Sequence, residues 1–304
     1  MRRLFIVNPL SERVARKGSA LEQIAGEMDI SCIRLDSFDV LPAAVTQAAE
    51  NGLNHVVIEG GDGTVQGVLS AFLNQNEKFK TFPSFSIIPA GMTNQVAKNI
   101  GLKSASPKSV KAALNRELKP IDAPMLNVFD SCGDSDGPRY AGFLFSTGAI
   151  PQITRYTTSE IHRKGIGGSA AVLFGILKGL RGNDEALMKI TPVSLDGLYE
   201  GPHLGTVVTT LPNLIMGLDP FWGGEPAPLR LTWVEGNYRR LARNVFSLWM
   251  GRKSKDRSHD GLHSKCVEAL TYQYDGDIVL DGEFLSIPSG KFTVTATRPV
   301  TFLS

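Results

Sequence analysis

The sequence predicts two domains in succession. The first is an α/β domain on a doubly wound, mostly parallel sheet; the second is β-rich, mostly antiparallel and sandwich-like, with one long helix. Three observations carry that prediction. Short apolar runs alternate with helical patterns through the first third of the chain. A glycine-rich turn, GGDGT at residues 60–64, joins an apolar run to a helical one. Past Pro120 the helical patterns give way to short strand-like runs separated by turn signals such as DSDGP, LDG and PSG. At 304 residues the chain is also long for a single core.

Taken in order, the apolar run at 4–7 reads as the first strand, 19–28 as a helix and 30–35 as a strand. A helix over 42–51, a strand over 55–58 and a helix over 64–73 follow. The strand 85–89 and helices over 93–100 and 107–116 complete a domain placed at residues 1–120. Residues 121–304 form the second domain, with strands expected at 124–129, 139–147, 186–193, 205–211, 229–234, 265–272, 277–280 and 291–297. A long helix is expected near 163–180. The cleft between the two domains is the expected place for a site.

Composition excludes several classes. The chain is 42% hydrophobic and 20% charged with a net charge of +2, so no global field draws it to nucleic acid. Cys32, Cys132 and Cys266 form no CxxC pair, which argues against a disulfide framework or a zinc site and fits a reducing cytoplasm. The apolar run at 4–7 is too short for a signal peptide, and the longest apolar stretch, near 169–177, is about half of the ~20 residues a membrane span needs. The expected location is cytoplasmic, with possible peripheral contact at the inner face of the membrane.

In an open parallel sheet, ligands bind beyond the carboxyl ends of the strands, where helix N-termini present backbone N–H groups to phosphate. Gly60, Gly61 and Gly63 occupy such a junction, with Thr64 as N-cap or phosphate contact and Val65, Val68, Leu69, Phe72 and Leu73 on the buried helix face. Glycines alone also suit a tight turn with no ligand. Asp62 is what points to chemistry. A carboxylate facing bare phosphates repels them, so Asp62 suits holding Mg²⁺ through water or accepting a proton from an attacking hydroxyl. The turn lacks the GK[ST] ending of a Walker loop and the G-x-G-x-x-G of a Rossmann turn.

GGDGT resembles the nucleotide-loop motif shared by diacylglycerol, sphingosine and ceramide kinases, NAD kinases and, more distantly, phosphofructokinases. IPAGMTNQVAK at 88–98 is similar to the P-x-G-T-x-N-D-x-A-R segment of diacylglycerol kinase catalytic domains, where NAD kinases differ. VLDGE at 279–283 resembles the DGE motif near the end of that lipid-kinase family, Asn8-Pro9 its opening, and FSTG at 145–148 its strand-to-glycine step. On these motifs the chain is identified as a member of the diacylglycerol kinase catalytic-domain family, and the resemblance runs through nearly the whole chain.

The resemblance implies an ATP- and Mg²⁺-dependent lipid kinase with diacylglycerol as the default acceptor and a ceramide or sphingoid base as the alternative. Residues 151–159, where sphingosine kinases are expected to meet the amine with a carboxylate, hold no Asp or Glu. Asn8, Gly60, Gly61, Gly63, Thr64 and Thr93 would line the nucleotide pocket. Asp62, Asp281 and Glu283 would form the acidic set, with Asp62 and Glu283 as metal contacts. Of Arg155, His162, Arg163 and Lys164, which precede the expected long helix, Arg163 suits either the ATP phosphates or a solvated helix start. The chain departs from the pattern at Gln95, usually Asp, at Lys98, usually Arg, and around 221–228, where FWGGEPAP replaces an acidic pair. Those departures motivate a catalytically silent lipid- or nucleotide-binding protein as a further alternative, alongside NAD kinase.

Residues 238–257, YRRLARNVFSLWMGRKSKDR, combine basic and aromatic side chains. They suit either an anionic membrane surface or an amphipathic helix with a solvated basic end. His259 and His263 are four apart but lack a third metal ligand nearby. Phe221 and Trp222 suit an acyl-chain contact or a turn with a buried aromatic pair.

Overall fold

In the computed structural model, residues 2–132, 138–156, 188–212, 214, 219–252 and 256–304 are described. They divide into two compact units, Met1–Met125 with Arg298–Ser304, and Leu126–Thr297.

The first unit contains β1 (Arg3–Val7), α1 (Glu12–Lys17), α2 (Ala20–Met28), β2 (Cys32–Arg34), α3 (Leu41–Glu50), β3 (His55–Gly60), α4 (Asp62–Leu73), β4 (Ser84–Pro89), α5 (Gln95–Ile100), α6 (Pro107–Leu114) and β5 (Pro120–Ala123). Numbering the last strand of the chain, Val300–Leu303, as β17, the sheet order is β2-β1-β3-β4-β17-β5. Its neighbours pair in parallel except β17 with β5. The central strands β1 and β3 are almost wholly buried, as expected for a sheet covered on both faces. On one face Val14, Leu21, Ile24 and Val110 of α1, α2 and α6 pack on Phe5, Val7, Val57 and Ile88. Elsewhere in this unit, Phe72 of α4 meets Phe85 of β4 edge to face at 5.4 Å. The order places β1 between β2 and β3, so the chain leaves β1 and β3 at a topological switch point.

The boundary differs from the sequence expectation of 1–120 and 121–304. Residues 120–123 form β5, and β17 runs between β4 and β5, so both ends of the expected second domain belong to the first sheet. A hydrogen-bonded chain ties β17 inward. Arg3 Nε donates to His55 Nδ1 at 3.3 Å, His55 Nε2 lies 3.0 Å from Ser86 Oγ, and Ser86 Oγ donates to the Leu303 carbonyl at 2.7 Å. Since Ser86 spends its proton on Leu303, it must accept from His55, and burial holds that imidazole neutral with its pKa lowered to about 4.

The second unit holds β6 (Leu126–Asp130), β7 (Arg139–Gly142), β8 (Leu144–Thr147), α7 (Ala149–Tyr156), β9 (Thr191–Leu195), β10 (Tyr199–Thr209) and β11 (Leu229–Glu235). Then come α8 (Leu241–Trp249), β12 (Leu262–Val267), β13 (Ala269–Gln273), β14 (Ile278–Leu280), β15 (Glu283–Leu285) and β16 (Lys291–Ala296). Every pairing in its sheet is antiparallel. The first half of β10 pairs with β9 and the second half with β8. Phe145 of β8 lies 5.4 Å from Tyr272 of β13 and 5.7 Å from Phe292 of β16, strands that are not its neighbours in the sheet. The sheet therefore curls around one aromatic core.

Two expected strands each divide. Residues 139–147 break at Phe143 because β7 pairs with β6 while β8 pairs with β10 and β14. Residues 265–272 break at Glu268, where the pairing changes from β11 to β16 and β9. The long helix expected at 163–180 lies outside the described residues.

Candidate active site

The carboxyl ends of β1, β3 and β4 bring together three of the quoted motifs. Asn8 follows β1; its backbone N–H donates to the Glu59 carbonyl at 3.0 Å, and its Nδ2 donates to Thr64 Oγ1 at 2.8 Å. Thr64 does not cap α4. The helix begins two residues earlier because the Val65 N–H closes the first turn on the Gly61 carbonyl at 3.0 Å. The Thr64 side chain is thereby buried in that turn, where a Cβ on Gly60 would lie 2.5 Å from the Thr64 Cβ, so the sequence requires glycine. Gly63 lies within the same first turn.

The second glycine segment lies directly against the first. Ala90 N–H donates to the Gly60 carbonyl at 3.0 Å, and a Cβ on Gly91 would approach the Gly61 Cα to 2.6 Å. Asn94 adopts the left-handed region at φ 49°, delaying the start of α5 to Gln95 rather than 93. Its side chain accepts from Gly91 N–H at 2.8 Å and donates to the Gly91 carbonyl at 2.6 Å, closing the loop that carries Thr93.

Asp62 joins the two segments. Its Oδ2 accepts from Gln95 N–H and its Oδ1 from Val96 N–H, each at 3.0 Å, so it caps α5 in place of a local side chain. Burial raises the Asp62 pKa, opposed by the backbone N–H groups of Val96 and Gln95, the charge of Lys98 and the Asn94 N–H. A carboxylate has about four lone-pair sites, more than the three backbone donors that reach it. Mg²⁺ at a nucleotide takes one or two carboxylates plus substrate phosphates, a donor set that Asp62 fits. Gln95 is buried, and its backbone N–H bonds Asp62.

Glu59, the residue before GGDGT, is a feature that sequence reasoning left without a role. It is fully buried, with Arg13 Nη1 at 2.6 Å, Ser19 Oγ at 2.6 Å, and the Ala20 and Leu21 N–H groups each at 3.0 Å. Arg13 also donates to the Ala105 carbonyl, and its own N–H bonds to the Ala90 carbonyl at 2.9 Å. The pair thus holds α1 and α2 against the base of both glycine segments. A charged residue inside an otherwise apolar strand, VVIEG, was the available signal.

In the second unit, Asp281 and Gly282 form the two-residue turn between β14 and β15, at φ 52° and 95°. The Asp281 carboxylate accepts from Phe143 N–H at 3.0 Å and Leu144 N–H at 2.9 Å, fixing the start of β8. Glu283 is exposed at the first position of β15. Arg155 of α7 binds Asp277 at 3.0 Å and lies 5.0 Å over the Phe284 ring, and Gln152 meets the same carboxylate at 3.0 Å. These contacts hold α7 to the hairpin. His162, Arg163 and Lys164 lie outside the described residues.

The remaining signals resolve into packing. His263 sits on β12, 2.8 Å from Glu235 and stacked on Trp233, while His259 lies in a separate turn, so they share no helix face. Among the described residues no cluster of three or more His, Cys, Asp or Glu side chains is placed to hold a metal. Phe221 lies under Arg230 at 4.6 Å and Trp222 under Arg257 at 5.0 Å. Arg230 also pairs with Asp219 at 2.5 Å, so this turn is organised by cation–π contacts and an ion pair.

Residues 2–126 match the diacylglycerol kinase catalytic domain. That match spans β1 through the first residue of β6 and contains every glycine-segment contact described above. The chain is 29% identical over 160 residues to a probable lipid kinase YegS-like protein of Xanthomonas axonopodis pv. citri (strain 306), covering 52% of this chain and 46% of the relative. It is 31% identical over 135 residues to a protein of the same name from Stenotrophomonas maltophilia (strain K279a), covering 44% and 41%. The chain thus spans a little under half the length of these curated relatives. Its fold is that of a diacylglycerol kinase from Bacillus anthracis str. Sterne, with a TM-score of 0.59 at 13% identity over 99% of this chain and 96% of that one. A second structure from that strain superposes with a TM-score of 0.68 at 15% identity.

Proposed function

We propose that the protein is a lipid kinase that transfers the γ-phosphoryl group of ATP to a lipid hydroxyl, with diacylglycerol as the first acceptor to test. The observation that supports this most is the joining of the two glycine segments by Asp62 at the ends of β3 and β4, inside the diacylglycerol kinase catalytic-domain match. The naming of the relatives as lipid kinases agrees with it.

In this reading Asn8, Gly60, Gly61, Gly63, Thr64 and Thr93 surround the nucleotide phosphates, which glycine lets the backbone approach closely. Asp62 and, on its motif position, Glu283 would hold Mg²⁺, which would supply charge neutralisation for the transferred group. Asp62 also keeps the two segments in register, so a carboxylate is preferred to its amide for both positioning and charge. Asp281 and Glu283 are assigned to the acceptor hydroxyl, one of them or Asp62 orienting its proton. Arg163 is proposed for the phosphates on its sequence position alone, in the basic run before the expected long helix. The absence of Asp and Glu from 151–159 supports a neutral acceptor over a free sphingoid base.

Incubation with ATP, Mg²⁺ and either NAD or detergent micelles carrying diacylglycerol, ceramide or sphingosine singly tests the acceptor. Phosphatidic acid as the dominant product supports the reading. Phosphorylation of NAD with none of the lipids would replace it with NAD kinase, and ATP binding with no phosphorylated lipid would favour the silent protein motivated by Gln95.

A further inference from the structure

We propose that α8 and the turns flanking it form a docking face for an anionic lipid bilayer. The inference deepens the lipid-kinase reading and rests on it for purpose alone, since bilayer binding is measured without turnover.

The inner side of α8 is firmly held. Leu248 and Asn244 are buried, and Asn244 Nδ2 donates to Asp260 Oδ2 at 2.9 Å. The buried Arg257 reaches Ser247 Oγ at 3.4 Å and the Arg252 carbonyl while lying over Trp222. The helix is therefore fixed in rotation, and its outer side is a defined surface.

That outer side combines apolar bulk with positive charge. Phe246 is 58% exposed and Met250 57%. With Arg243 they fall at spacings of three and four residues, which places them along one helical stripe. Arg239, Arg240, Arg243 and Arg252 are all exposed around them. From 236 to 252 the sequence contains no Asp or Glu. A solvated helix face gains nothing from two large apolar side chains in water. A protein partner could cover them, but a surface on which four exposed arginines outnumber the exposed Asp256 and the half-buried Asp260, 4.0 Å from Arg240, best complements a dense plane of anionic headgroups. At nine residues α8 is far too short to cross a bilayer, and no helix among the described residues is long and apolar enough to do so. It suits lying in the interface, with Phe246 and Met250 inserted and the arginine stems extending to the headgroups.

Flotation of the full chain with phosphatidylcholine vesicles, and with equal parts phosphatidylcholine and phosphatidylglycerol, tests this. The protein should float with the mixed vesicles alone, and less so as salt rises. Arg243→Gln with Arg252→Gln should weaken binding roughly 30-fold. Phe246→Ser with Met250→Ser should weaken it by roughly tenfold or more. Both variants alter exposed positions, and unchanged thermal melting would show that they fold. Equal binding to neutral vesicles, no binding to anionic ones, or wild-type affinity in either folded variant would overturn the proposal. Phosphorylation in detergent micelles separates the two readings. Flotation without kinase activity sinks the lipid-kinase reading and supports docking, whereas micellar turnover without flotation sinks docking alone.

Discussion

At the scale of single residues, Asp62 joins the two glycine segments, and the proposed chemistry assigns the same carboxylate a second task. In Asp62→Asn, one amide oxygen still accepts, but the amide nitrogen faces a backbone N–H that needs an acceptor. Turnover should fall by at least ~10²-fold, with a stability loss of about 1–2 kcal/mol. Steady-state kinetics beside urea unfolding checks this, and a near-native rate would remove Asp62 from the mechanism. His55 makes a pH prediction. Its folded pKa of about 4 lies below the ordinary value of 6.5, so between those limits the unfolded chain binds the additional proton. Stability is fully present above about pH 6.5 and declines as pH falls toward 4, by roughly 3 kcal/mol. Denaturant unfolding across that window should show the decline, and His55→Gln should flatten it. Cys32 is held at a pKa of about 11 by burial and by Glu22 and Glu59, whereas Cys132 is exposed. Iodoacetamide at pH 8 should therefore label Cys132 well before Cys32, as peptide mapping would reveal.

At the scale of elements, the glycine segments depend on a buried ion pair beneath them. Arg13→Met would strand the Glu59 carboxylate with only hydroxyl and backbone donors, and should cost about 3–5 kcal/mol. Loss of ATP affinity should accompany it, measurable by calorimetry on the folded fraction. Much of this architecture was legible in the sequence. The strand at 85–89 and the helix at 19–28 fall within a residue of their observed bounds, because apolar periodicity and the Ser19 cap speak for themselves. What escaped was non-local. Nothing in the run 265–272 tells that its halves pair with different strands, and no local pattern predicts that Asp62 caps a helix 33 residues away. The DGE motif was read only for chemistry, whereas its Asp-Gly makes a tight turn whose carboxylate anchors β8.

At the scale of the whole molecule, the last strand belongs to the first sheet, which a boundary drawn at residue 120 from the change of local pattern could not show. Removing residues 298–304 would open the sheet between β4 and β5 and take from Ser86 its Leu303 acceptor. The first unit should then lose its cooperative melt while the second retains protected amides, a split that hydrogen exchange would resolve. The carry-over of function follows the same division. The catalytic-domain match covers the first unit apart from its last strand, and the acceptor is proposed on motifs of the second, Asp281 and Glu283. The central claim is phosphoryl transfer to lipid, and the most direct test compares ATP labelled at the γ- and α-phosphates, with diacylglycerol micelles and Mg²⁺, by counting label in the organic extract. Label from the γ-position alone, absent with Asp62→Asn, is the predicted result; an extract free of label from either position would contradict the account.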